Sequence, residues 1–247
     1  MSGHSHWANI QRTKSKMDSK RGKIFSKWAK LIMSAAREGG GDPDMNLRLR
    51  YAIEGAKSDN MPKDSIEKAV RKGSGDLGDV HFEELLYEAY APGGVALLIE
   101  ALTENRNRTA PDMRKILDRS GGSLGATGSV AWNFERKAAF AVNKEGVDED
   151  ELMLFALENG AEDVTTGEEG FFGITAEPAS FLDLKKALEE KGYVLVSSAL
   201  GYIPKTTVAV DAATGKKVIS LMEALEDNDD VQKVHSNAEF PASLDSA

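Results

Sequence analysis

The 247-residue chain has no cysteine, which excludes a disulfide framework, a thiolate metal centre and a cysteine nucleophile together and makes a reducing cytoplasm its natural compartment. It also lacks long apolar runs. The best of them, residues 31–36 and 95–99, fall far short of the roughly 20 residues that a spanning helix requires, so a soluble protein with no membrane partner is expected. Catalytic signatures are missing as well. There is no G-x-S-x-G elbow, no Ser, His and Asp set at a defensible spacing, and the four histidines His4, His6, His81 and His235 have no acidic cluster placed to complete a zinc site. A non-enzymatic protein follows, with no cofactor, no metal and no small-molecule substrate. Two metal-like fragments carry little weight: Ser2-Gly3-His4 could hold Cu(II) only after loss of Met1, and Glu226-Asp227-Asn228-Asp229-Asp230 has Val231 where a calcium loop needs its third ligand. That acidic run reads as a solvated helix end.

What the chain does have is charge, unevenly spread. The total is -9, yet residues 1–75 hold 16 Lys and Arg against 8 Asp and Glu, and the remainder holds 15 against 32. A basic arm on an acidic body concentrates positive potential on one region and points to a polyanion such as nucleic acid. Residues 1–22 carry Arg12, Lys14, Lys16, Lys20 and Arg21 without sustained apolar periodicity, as an arm only partly ordered when free would. From 23 to 37 the apolar residues Phe25, Trp28, Leu31 and Ile32 share one helical face, while Lys20, Lys23, Lys27, Lys30 and Arg37 gather on the other. Trp28 is therefore expected in a core, whereas Trp7, inside the basic arm, is the better candidate for contact with a base.

The pattern predicts three domains in an α+β fold. Helices at 23–37, 47–58 and 62–72, the last with Asn60 as N-cap and Gly73 just past its end, make a basic helical bundle over 1–75, and the glycine-rich stretch 73–78 predicts a mobile junction. Strands at 85–90 and 95–102 flank Ala91-Pro92-Gly93-Gly94, a hairpin signature. A helix capped by Thr109 and running to 119, then a strand at 129–134, come next. Residues 138–201 then read as strand, helix, two strands, helix, strand, a ferredoxin-like unit. The tail adds a strand at 206–210, a helix at 214–226 and a strand at 231–236. Joined to the elements between 95 and 134, it completes a second ferredoxin-like domain (79–136 plus 203–240), with the first hairpin strand as an extra edge and the other unit (137–202) inserted.

Two loops are chemically suggestive. Asn105-Arg106-Asn107-Arg108-Thr109 precedes a helix, where Arg106 and Arg108 could grip phosphates. The glycine-rich 121–128 segment matches neither dinucleotide nor P-loop spacing, leaving a turn that needs positive φ or a close approach to a nucleic-acid strand.

Gly3-His4-Ser5-His6-Trp7-Ala8-Asn9-Ile10, Lys20-Arg21-Gly22-Lys23-Ile24-Phe25-Ser26-Lys27, Tyr90-Ala91-Pro92-Gly93-Gly94, Asn105-Arg106-Asn107-Arg108-Thr109 and Gly121-Gly122-Ser123-Leu124-Gly125 together resemble the YebC/PmpR family over essentially the full chain. The resemblance implies a helical N-terminal bundle, two ferredoxin-like domains of which one is inserted in the other, and a cytoplasmic regulator of gene expression. Bacterial members are described as DNA-binding transcriptional regulators and mitochondrial relatives as translational activators, with ribosome-associated action as the alternative. No catalytic residue comes with the resemblance. The partner is thus expected to be duplex DNA or ribosomal RNA, about six of whose phosphates meet Arg12, Lys14, Lys16, Lys20, Arg21, Lys23, Lys27 and Lys30. A targeting or membrane-surface helix at the N-terminus is the competing reading of the arm, and the motif match beginning at Gly3 argues against it.

Overall fold

The computed structural model describes residues 17–75, 81–166, 170–241 and 244, and for residues 17–20 the backbone only. Three helices form the first body: α1 (Met17–Gly39), α2 (Leu47–Ser58) and α3 (Lys63–Ser74). Their core is their own, built on Ile32, Ala35, Leu49, Ala52, Ala56, Ile66 and Ala69, with Phe25 and Trp28 packed against it. Trp28 lies on Gly55, where an added Cβ would overlap the indole, and its Nε1 donates to Asp59 Oδ2 at 2.6 Å. Buried Asn46 joins α1 to α2. Its Oδ1 accepts from Leu49 N (3.1 Å) as N-cap while its Nδ2 donates to the carbonyls of Ala35 (2.8 Å) and Gly40 (2.9 Å) at the end of α1.

Two local expectations change here. Asn60 is not an N-cap but stands at φ 59 just after α2, and Pro62 precedes the first residue of α3. Gly73 does not end α3 but lies inside it, because its missing side chain lets the helix approach α1; a Cβ would sit 2.5 Å from Met33 O. Residues 76–78 of the expected junction lie outside the described residues.

The second body has a four-stranded antiparallel sheet in the order β3-β1-β2-β9, formed by β1 (Glu83–Ala91), β2 (Val95–Thr103), β3 (Ser123–Leu124) and β9 (Val231–Ser236). Gly93 and Gly94, at φ 82 and 75, turn the hairpin between β1 and β2. Helices α4 (Arg106–Arg119) and α7 (Ala212–Glu226) cover one face through Met113, Leu117, Val218, Leu221 and Leu225. The other face carries Leu98, Val130 and Phe134. The hairpin strand β1 thus takes an interior position instead of an extra edge. Residues 129–133 are not a strand, Phe134 already belonging to the strand that follows, and 206–210 shrinks to β8 (Val208–Ala209), which pairs with β10 (Ala238–Glu239) away from the main sheet. Helix α4 starts one turn earlier than expected because Asn105, not Thr109, caps it and accepts from Arg108 N at 3.3 Å.

The third body is β4 (Phe134–Asn143), α5 (Glu149–Glu158), β5 (Ala161–Thr165), β6 (Phe171–Ala176), α6 (Phe181–Lys191) and β7 (Leu195–Pro204), with sheet order β5-β6-β4-β7. This is the ferredoxin-like order expected for it. Its first and last strands pair antiparallel from Phe134 opposite Pro204 onward, so the segment leaves and rejoins the second body at neighbouring points. The class is α+β, as the sequence indicates.

Candidate nucleic-acid interface

The basic face of α1 turns toward the end of α7. Lys23 Nζ donates to the Asp227 carbonyl (3.1 Å), Lys27 Nζ to the Glu226 carbonyl (2.6 Å), and Lys30 Nζ to the Asp229 carbonyl (3.0 Å) and Asp230 Oδ1 (3.2 Å). Spacing of four and three residues brings these lysines onto one helical stripe. The Glu226 and Asp227 carbonyls stand at the C-terminus of α7, where a helix leaves carbonyls unpaired and the backbone dipoles present negative charge, and the Asp229 carbonyl follows in the turn beyond it. Lys23 also lies 3.8 Å from the Asp227 carboxylate. Burial lowers the pKa of Lys27, and the neighbouring Glu226 and Asp227 oppose that shift.

Asp230 joins this stripe to the Asn105-Arg106-Asn107-Arg108-Thr109 segment. Its carboxylate, almost wholly buried, receives Arg108 Nη2 at 2.8 Å, Thr109 Oγ1 at 2.9 Å and Thr103 Oγ1 at 3.2 Å besides Lys30. Burial alone would raise its pKa, but the hydrogen bonds from Arg108, Thr109 and Lys30 prevail and hold it below the usual carboxylate range. The 226–230 run is therefore a solvated helix end only in part: Asp227 and Asp229 are exposed, whereas Asp230 turns inward. Asp230 was invisible as a site residue in the sequence; the acidic run itself was the only signal, and nothing local marks which of its carboxylates turns inward.

The candidate residues are thus placed unequally. Lys23, Lys27, Lys30 and Arg108 come together around one turn. Arg106 stands apart, paired with Glu83 at 3.2 Å, and Arg21 is exposed near the start of α1. Lys20 belongs to α1 by its backbone, and Trp7, Arg12, Lys14 and Lys16 lie outside the described residues.

The glycine loop has an internal ligand. Glu88 accepts from the backbone amides of Gly128 (2.5 Å), Val130 (2.6 Å) and Ala131 (2.7 Å), so the nest that could have met a phosphate already holds a carboxylate. The glycines answer to geometry: Gly121 and Gly128 have φ of 74 and 84, and a Cβ on Gly122 would sit 2.7 Å from Tyr90 O.

A buried His235 and Glu100 pair has the look of catalytic machinery, but its hydrogen bonds give another account. His235 Nδ1 accepts from Tyr202 N at 3.3 Å, which leaves the proton on Nε2, 2.6 Å from Glu100 Oε1. Burial, first of all, keeps the imidazole neutral despite the carboxylate beside it. Both ring nitrogens are engaged in tying β2, β9 and β7 together, so neither is open to take a substrate proton. Among the described residues no group of three or more His, Asp or Glu is arranged to hold a metal ion, and no helix is long and apolar enough to cross a membrane.

Comparison with known proteins places this architecture among relatives. Residues 5–76 match the family described as the TACO1/YebC protein N-terminal domain, and residues 82–238 match that described as the TACO1/YebC second and third domain. A protein of Halothermothrix orenii named "Probable transcriptional regulatory protein" is 52% identical over 244 residues, covering 98% of this chain and 96% of its own. A protein of the same name from Treponema denticola is 52% identical over 241 residues, covering 98% and 97%. The crystal structure of a conserved hypothetical protein from Aquifex aeolicus superimposes with a TM-score of 0.80 at 45% identity, covering 92% of this chain and 93% of that one.

Proposed function

The chain belongs to the TACO1/YebC family, and on that premise we propose that it is a non-enzymatic, cytoplasmic regulator of gene expression that binds the phosphate backbone of nucleic acid. The contact runs along α1 and the arm before it and continues to Arg108. One observation carries the reading: Lys30 and Arg108, which belong to separate segments of the sequence, converge on the same carboxylate, so that Lys23, Lys27, Lys30 and Arg108 form one basic row. Rows of this kind neutralise phosphates without reading bases, which suits duplex DNA and structured RNA alike. The two-domain body 79–136 plus 203–240 with its insert 137–202 is then the rigid support for the basic domain 1–75.

Binding of fluorescent duplex DNA and of a structured ribosomal RNA fragment, followed across salt, tests the proposal. If about six phosphates are neutralised, log affinity falls against log salt with a slope near -5 for duplex and about -4 for single strands. Preference for the RNA, with salt-sensitive co-sedimentation with ribosomes, would assign the protein to translation; preference for duplex would assign it to transcription. Weak binding indifferent to salt would exclude both.

A further inference from the structure

The basic row is already occupied, by an anion that the protein supplies itself. We infer that the 226–230 turn is an internal competitor for the nucleic-acid site, holding Lys23, Lys27 and Lys30 in the unliganded protein and giving them up when a phosphate backbone binds. This rests on the proposed function and adds its regulation.

Three features support an exchangeable contact. First, the anion is made of parts a phosphate backbone resembles: carbonyl oxygens of residues 226, 227 and 229 and the carboxylates of Asp227 and Asp230 succeed one another along the lysine stripe. Second, Asp230 does not depend on α1. If Lys30 withdraws, Arg108, Thr109 and Thr103 still satisfy that buried carboxylate, and Asp227 and Asp229 are exposed to water, so release orphans no buried charge. Third, the helical body has a core of its own; it meets the others through polar contacts, among them Tyr51 Oη to the Pro178 carbonyl, Lys185 to Glu54 and Arg48 to Glu84, with the Tyr51 ring edge on Phe181 as an apolar contact beside them. Interfaces of that kind part without unfolding either side.

The test is the double variant Asp227→Asn with Asp229→Asn, which leaves Asp230 in place. Its control, Glu149→Gln with Asp150→Asn on α5, removes the same charge from exposed positions in the third body. Affinity for a 25-bp duplex at fixed salt should rise about 5-fold in the turn variant, as expected from losing the half-exposed Lys23–Asp227 ion contact and the Asp229 charge that acts on Lys27, and less than 2-fold in the control. Spin labels at Met45→Cys and Lys115→Cys, straightforward in a chain without cysteine, should lengthen their separation on adding duplex, and in the turn variant without it. Equal gains in both variants, or weaker binding by the turn variant, would overturn the inference while leaving the functional reading intact. Absence of salt-sensitive binding in all three proteins would remove the functional reading, and the inference with it.

Discussion

Two buried carboxylates, Glu88 on β1 beneath the glycine loop and Asp230 in the turn after α7, differ in who holds them. Both are almost wholly buried, and both are held below the ordinary carboxylate range although burial alone would raise them. Glu88 is held by three backbone amides of a single loop, Asp230 by the side chains of Lys30, Thr103, Arg108 and Thr109 from different elements and two bodies. Backbone amides cannot withdraw unless the loop unfolds. Side chains can. The same electrostatic device therefore fixes a loop permanently in one place and makes a reversible junction in the other.

The largest effect that would break this comparison belongs to Glu88. Glu88→Ala should cost about 3 kcal/mol or more, measured by urea unfolding, because three amide donors lose their acceptor at once. Asp230→Asn should cost less, about 1–2 kcal/mol, since Thr103 and Thr109 keep a neutral acceptor and Arg108 reaches water. An Asp230 variant that destabilised as much as the Glu88 variant would mean the turn is as fixed as the loop.

Acid should sharpen the same contrast by a smaller amount. Both folded-state pKa values lie below their unfolded values of 4.5 and 3.8, so each group's contribution is complete above the unfolded pKa and disappears as pH falls through the folded one. Stability should therefore decline below about pH 4. Glu88→Gln should flatten that decline, and raised salt should flatten only the share due to Asp230, whose partners include separate cations.

How much of this was legible in the sequence follows from the range of the interactions. The third body was readable almost element by element, because its signals are local: Asp148 accepts from Glu151 N at the start of α5, and Gly192 ends α6 at φ 93. The second body departs from its sequence pattern where a distant side chain takes over the backbone. Residues 129–134 have strand-like composition, but the amides of Val130 and Ala131 go to Glu88, some forty positions away. The expected strand at 206–210 is shortened in the same manner, since Asn133 Oδ1 takes the amide of Thr206 at 2.9 Å. Helical periodicity revealed the basic face of α1. It could not reveal the turn about 200 residues later that this face meets.

The smallest expected effect concerns Arg106, whose partner Glu83 is exposed as it is, giving a third kind of carboxylate contact beside the fixed and the exchangeable. Two half-exposed side chains in high dielectric gain little from pairing, so Arg106→Ala should change stability by no more than about 0.5 kcal/mol. It should also leave the Met45 to Lys115 label distance unchanged, because Arg106 does not touch the turn. Nucleic-acid binding is the sharper measurement. If the row ends at Arg108, Arg106→Ala keeps the salt slope of the wild type, whereas if a phosphate reaches past Arg108 to the start of α4, the slope should become shallower by about 1. Arg108→Ala is the matched comparison, since that side chain stands between Asp230 and solvent. A slope that changes for Arg108 but not for Arg106 would limit the interface to cations that the acidic turn gathers. A change for both would extend it along the N-terminus of α4, beyond what the turn can cover.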